Sequence, residues 1–244
     1  MGITISQTEN LVWPSQWRKG KPIIAKVRPE YAKYFDHTKL YPDATTETIR
    51  LFAQQALEYG FPAVCVNPCH VKMVADMLKG SDIHTATVIG FPLGANTTRI
   101  KVLETQEAVE NGANEIDMVI NIGKLKDGDW AYVEQDIQAV VDAAGEAWVK
   151  VIIETHALTD EEKVKVCQIA GKCGAKFVKT CSGFYGTGGA TVEDVALMRR
   201  SVSEKVLVKA STGIRTKEDC DRLIAAGAVR FGSSAGPKVV DGEV

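Results

Sequence analysis

The chain has 244 residues, 45% of them hydrophobic and 25% charged, with a formal net charge of −2. That balance is the make-up of a soluble globular protein, and it excludes nucleic acid as the main partner, because phosphate binding draws on a basic patch. No apolar run reaches the ~18 residues that a membrane helix needs. The opening residues MGITISQTEN lack the basic-then-apolar pattern of a secretion signal, although they fit the short myristoylation form Met-Gly-x-x-x-Ser.

Residues 1–34 precede any regular pattern and are expected to form an extension packed on the rest of the domain. From Phe35 the chain alternates. FDHTKL reads as a short strand. DATTETIRLFAQQALEYG then reads as a helix with polar capping residues at its start and Gly60 at its stop. Short Val- and Ile-rich runs come next at Ala63 (AVCVN), Thr85 (TATVIGF), Glu115 (EIDMVIN) and Trp148 (WVKVIIET), then at Phe177 (FVKTC), Val206 (VLVKAS) and Ala228 (AVRFGSS). Such runs are what buried parallel strands look like. Helical stretches separate them. One is LTDEEKVKVCQIAGKCG, where Thr159 and Glu162 form a capping box. Strand and helix thus alternate about eight times at a spacing of ~25–35 residues, which predicts an α/β fold, a single (β/α)8 TIM barrel over residues 1–244. An open doubly wound sheet competes, but the count reaches eight and no G-x-G-x-x-G follows the first strand.

Side chains alternate sides along a strand, so parity shows which residues share a face. Asp117 shares a face with Val119 and Asn121, Lys150 with Ile152 and Glu154, Lys179 with Cys181, and Lys209 with Leu207. The opposite faces are mostly apolar and belong under the helices, so the charged faces should meet in the barrel lumen. A lone strand lysine is as often an edge or strand-end residue in water. Several together must pair, because an isolated buried charge costs several kcal/mol or more.

Two neighbouring buried lysines disfavour each other's charge, and desolvation acts the same way. One then becomes a neutral amine that attacks a carbonyl and forms a Schiff base. Asp117 would relay protons beside it. Later loops add anion sites: CSGFYGTGGAT, ASTGIRT and GSSAG offer backbone N–H groups at turns into helices. Ser211, Thr212, Gly213, Ser233 and Ser234 are the candidates for a phosphate, with Arg215 either supporting them or simply starting a helix.

The motifs DHTKLYPDAT, VCVNP, VIGFPLGANTT, EIDMVINIG, VKVIIET, FVKT with GTGGATVEDVALM, and VKAS with GIRT resemble the deoxyribose-phosphate aldolase family, in order, from about Asp36 to about Gly236. The resemblance implies a class I aldolase without metal or cofactor. It would reversibly cleave 2-deoxy-D-ribose 5-phosphate to acetaldehyde and D-glyceraldehyde 3-phosphate. It makes Lys179 the Schiff-base lysine, Lys209 its cationic neighbour and Asp117 the proton relay. Asp36, Thr38 and Cys65 would line the substrate pocket, with Lys150 counted among the substrate-binding residues. Gly183, Gly213, Ser233 and Ser234 would hold the phosphate, mostly through backbone N–H groups, with Thr212 also counted among the substrate-binding residues. The implied partner is a small phosphorylated sugar, with a homodimer and a cytoplasmic location as expectations.

The chain departs from the family pattern in places. KTCSG puts a cysteine on the lumen side, Tyr185 looks inserted, Thr212 stands where a glycine is usual, and Ala235 replaces a serine. Phosphate affinity is where these changes would tell, because a β-branched residue tolerates positive φ poorly. The chain stops at Val244, short for a full eighth helix, so a C-terminal tail closing the site is expected to be missing. Two other readings remain: a Schiff-base lyase for another sugar phosphate, and a barrel that binds a phosphorylated metabolite without turnover. The six cysteines (65, 69, 167, 173, 181 and 220) include no C-x-x-C pair and no zinc-site spacing, and read as reduced thiols.

Overall fold

The structure, a computed structural model, describes residues 30–186 and 188–243. Most of the expected N-terminal extension, with the myristoylation match, lies outside the described residues. Eight parallel strands close into a barrel in sequence order. They are β1 (Phe35–Lys39), β2 (Ala63–Val66), β3 (His84–Ile89), β4 (Glu115–Val119), β5 (Trp148–Ile152), β6 (Phe177–Lys179), β7 (Leu207–Ser211) and β8 (Ala228–Ser233). Each begins within one residue of the run expected from the sequence. β1 pairs with both β2 and β8, so no sheet edge is left.

The helices among the described residues are α1 (Thr46–Tyr59), α2 (Val71–Leu78), α3 (Thr98–Glu110), α4 (Ile122–Lys126), α5 (Trp130–Ala144), α6 (Asp160–Lys172), α7 (Val192–Ser201), α8 (Lys217–Ala225) and α9 (Gly236–Asp241). Their ends obey local chemistry. Thr45 caps α1 by accepting from the Thr48 N–H, and Gly60 stops it at φ 68°. Thr159 and Glu162 form the expected capping box on α6, and Thr216 with Asp219 forms another on α8.

The main core lies between barrel and helices. Val64, Ile116, Met118, Val151, Val178 and Val208 point outward into it, each buried. Fully burying such a side chain contributes about 1.5–3 kcal/mol. A smaller apolar cluster, Leu40, Ala63, Cys65, Ala86 and Val88, fills the lumen on the β1–β3 side. The rest of the lumen holds charge.

Among the described residues, one buried ion pair lies outside the lumen. Lys101 Nζ on α3 contacts Asp136 Oδ2 on α5 at 2.5 Å and donates to the Val119 carbonyl at 2.8 Å. It ties two helices to the end of β4. No described helix is long and apolar enough to cross a membrane.

Candidate active site

Strand register brings the lumen charges into neighbouring rungs. Asp117 pairs with Lys150 across β4–β5, Lys179 with Lys209 across β6–β7, and Lys209 with Arg230 across β7–β8. Their side chains converge on Asp117. Lys150 Nζ donates to Asp117 Oδ1 at 2.6 Å. Lys179 Nζ and Lys209 Nζ both donate to Asp117 Oδ2, at 2.7 and 2.9 Å.

A second tier of carboxylates stands behind. Asp36 takes Lys209 on Oδ2 and Arg230 Nη1 on Oδ1, the latter at 2.5 Å. Glu115 Oε2 lies 2.5 Å from Lys150 Nζ, and its Oε1 lies 2.7 Å from His84 Nδ1. Four cations (Lys150, Lys179, Lys209 and Arg230) therefore meet three carboxylates. Among the described residues, Lys179 is the one of the four whose only carboxylate contact is Asp117; each of the others contacts at least two.

The electrostatics arise from this geometry. Burial alone would raise the Asp117 carboxyl, but Lys150, Lys179 and Lys209 hold it well below the usual carboxylate range. Asp36 is likewise held down against burial by Arg230, Lys209 and Lys150. Burial would discharge Lys209, yet Asp117 and Asp36 reverse this and raise it above an ordinary lysine. The same contest, against Asp117, Glu115 and Asp36, raises Lys150.

Above this cluster, at the C-terminal ends of the strands, opens a cleft of about 360 Å³. Of the expected site residues, Thr38, Lys179, Gly183, Ser211, Thr212, Gly213, Ser233 and Ser234 line it. Asp36, Cys65, Asp117, Lys150 and Lys209 do not reach its wall. They are completely buried one layer deeper. Cys65 in particular does not line the cleft: its thiol is pushed up to about 11, chiefly by burial and then by Asp117.

The cleft loops show how close the backbones run. Thr212 has φ 71°, the left-handed region that favours glycine. A Cβ at Gly189 would lie 2.4 Å from the Thr212 carbonyl oxygen, so only glycine fits there. Ser233 Oγ is engaged locally, donating to the Ile214 carbonyl at 2.9 Å and accepting from the Ala235 N–H at 3.1 Å.

Two parity expectations fail in the structure. Glu154 does not join the lumen charges. β5 ends at Ile152, Glu154 turns at φ 57°, and its carboxylate accepts instead from the Ser182 N–H. Cys181 lies past the end of β6; its thiol is buried and donates to the Ser211 carbonyl at 3.0 Å rather than facing the cleft. Conversely, sequence reasoning missed Glu115, Arg230 and His84. Glu115 shares parity with Asp117, and Arg230 sits inside AVRFGSS, so the same face argument would have found both. Lys39, Phe184 and Lys238 also line the cleft unannounced, and Arg215 lines it as well.

The sequence profile described as DeoC/LacD family aldolase matches residues 31–239. The deoxyribose-phosphate aldolase of Listeria welshimeri serovar 6b is 59% identical over 213 residues, covering 87% of this chain and 95% of the relative. That of Macrococcus caseolyticus is 58% identical over 212 residues, covering 87% and 96%. Among solved structures, the tetrameric deoxyribose phosphate aldolase from Aeropyrum pernix superposes with a TM-score of 0.80 at 30% identity, covering 87% of this chain and 90% of that one. The aldolase QR15 superposes at 0.83 with 38% identity, covering 88% and 96%. With a buried lysine cluster opening on a cleft at the strand ends and this likeness over nearly its whole described length, the chain belongs to the DeoC/LacD aldolase family.

Proposed function

We propose that this aldolase reversibly cleaves 2-deoxy-D-ribose 5-phosphate to acetaldehyde and D-glyceraldehyde 3-phosphate, with Lys179 as the Schiff-base lysine. One observation carries the assignment: of the three lysines on Asp117, Lys179 alone also lines the cleft. A neutral amine there leaves three cations against three carboxylates, so the cluster is balanced when the nucleophile is ready.

The Lys179 nitrogen attacks the C1 carbonyl of the open-chain sugar, and loss of water gives an iminium. The iminium accepts the electron pair of the C2–C3 bond as the C3 hydroxyl loses its proton. Glyceraldehyde 3-phosphate departs, the enamine is protonated at C2, and hydrolysis frees acetaldehyde. Asp117, against the nitrogen, relays protons as the carbinolamine forms and collapses. Lys209, held cationic by Asp117 and Asp36, helps Lys150 keep Asp117 ionised beside the reacting nitrogen. The phosphate is assigned to the loops after β6, β7 and β8, where Gly183, Thr212, Gly213, Ser233 and Ser234 lie together. Thr38 lines the same cleft from the end of β1.

Borohydride reduction in the presence of acetaldehyde tests this. The expected result is a stable two-carbon adduct on Lys179, absent in Lys179→Met. No adduct on the folded wild-type chain favours a binding barrel. An adduct without turnover of the 5-phosphate sugar favours a Schiff-base lyase for another substrate. Homodimerisation and a cytoplasmic location belong to this proposal; light scattering on the purified chain tests the first, and cell fractionation the second.

A further inference from the structure

We propose that Glu154, His156 and Cys181 form a binding site for a divalent transition cation of the zinc class, on the barrel wall behind the loop after β6. One ligand atom from each lies within 4.8 Å of the other two. The aldol chemistry uses none of the three.

The Glu154 carboxylate carries the argument furthest. It is completely buried, its oxygens accept only the Ser182 N–H at 3.3 and 3.2 Å, and no cation pairs with it among the described residues. A buried carboxylate without a compensating charge is costly. Its backbone is also held at φ 57°, a strained setting that points the carboxylate at this spot. His156, the least buried of the three, stands two residues on, with its Nε2 so close to Gly188 of the β6–α7 loop that a Cβ there would lie 2.5 Å from it. Cys181 closes the third side with a buried thiol on the Ser211 carbonyl.

The donor set selects the ion. Calcium and magnesium take oxygen ligands, whereas one sulfur, one imidazole nitrogen and one carboxylate oxygen suit zinc and its neighbours. With bonds of about 2.0–2.3 Å, tetrahedral ligands sit about 3.5 Å apart, so small side-chain rotations bring these three into range. On binding, the Cys181 S–H releases its proton to solvent, the thiolate bonds the metal, and water takes the fourth position. Thiolate and carboxylate together neutralise the dication. Because Ser182 and Gly183 line the cleft, an ion here would tether the loop after β6 to the end of β5.

The test uses Co²⁺ as a spectroscopic probe on the full-length chain. The expected result is a thiolate-to-cobalt absorption band saturating at one equivalent, displaced by Zn²⁺, with Zn²⁺ raising the melting temperature. Cys181→Ser should abolish the band. His156→Ala, which leaves the buried thiol in place, should weaken Zn²⁺ binding at least about 10-fold. Circular dichroism verifies that both variants are folded. No band, or one that survives either substitution undiminished, overturns the site.

Discussion

Lys179 and Lys209 meet on a single atom: both ammonium nitrogens donate to Asp117 Oδ2, at 2.7 and 2.9 Å. Their Cα atoms are register partners on adjacent parallel strands, so the contact is built into the barrel rather than into a loop. The two lysines are not equivalent. Lys209 also holds Asp36 and is completely buried, while Lys179 has no second carboxylate among the described residues and borders the cleft. One is placed to stay charged and the other to react.

Lys209→Leu should therefore slow turnover by about 10²-fold or more and move the acid limb of the kcat/KM–pH profile to higher pH. The reason is that Asp117 would lose one of the three cations that hold its carboxyl down, and would take up a proton at higher pH. A slowed enzyme with an unmoved profile would assign Lys209 to packing instead.

Thr212→Gly should stabilise the protein by roughly 1 kcal/mol. A β-branched residue at φ 71° carries about 1–2 kcal/mol of strain, partly offset by the greater unfolded-state freedom of glycine. Thermal unfolding measures this, and a lower melting temperature would mean that the threonine side chain contributes more than its backbone costs. The phosphate dependence of KM, measured on the same variant, reports whether the loop has also changed its grip.

His37 should make the fold acid-sensitive. Burial pushes its imidazole from the ordinary 6.5 down to about 4, while its Nε2–H donates to Gln55 Oε1 at 2.8 Å and its ring stacks on Phe52. The unfolded chain takes up this proton first, so stability falls as pH drops from about 6.5 to about 4 and the loss is complete below that window. The shift corresponds to about 3 kcal/mol. Denaturant unfolding of wild type and His37→Gln across this range should show a flatter curve for the variant. Parallel curves would remove His37 as the cause.

Asp136→Asn should destabilise the protein by about 3–5 kcal/mol, because it leaves the buried Lys101 ammonium without its counter-charge. Replacing both, as Lys101→Met with Asp136→Leu, should recover most of that loss, since an apolar pair needs no compensation. If the double variant is no more stable than the single one, the Thr98 hydroxyl bond to Asp136 and the Lys101 bond to the Val119 carbonyl are what matter.

Local order was legible in the chain. Val- and Ile-rich runs at Ala63, Glu115 and Trp148 became strands because short β-branched stretches suit a buried pleat. The Thr159–Glu162 box and Gly60 marked real helix ends because capping is a contact between near neighbours. Parity placed Asp117, Lys150, Lys179 and Lys209 on one surface, since alternation is a property of any strand.

Depth and direction were decided only by closure of the barrel. Which lysine reaches the cleft depends on the stagger between strands, and stagger is set by all eight pairings at once. Parity fails once a strand ends: Glu154 and Cys181 lie beyond β5 and β6, where a backbone turn redirects the chain. Side chains from two different strand ends then meet beside His156 although no spacing in the sequence announces them. Contacts between residues close in the chain obey local rules, whereas contacts across the barrel exist only when the whole ring has formed.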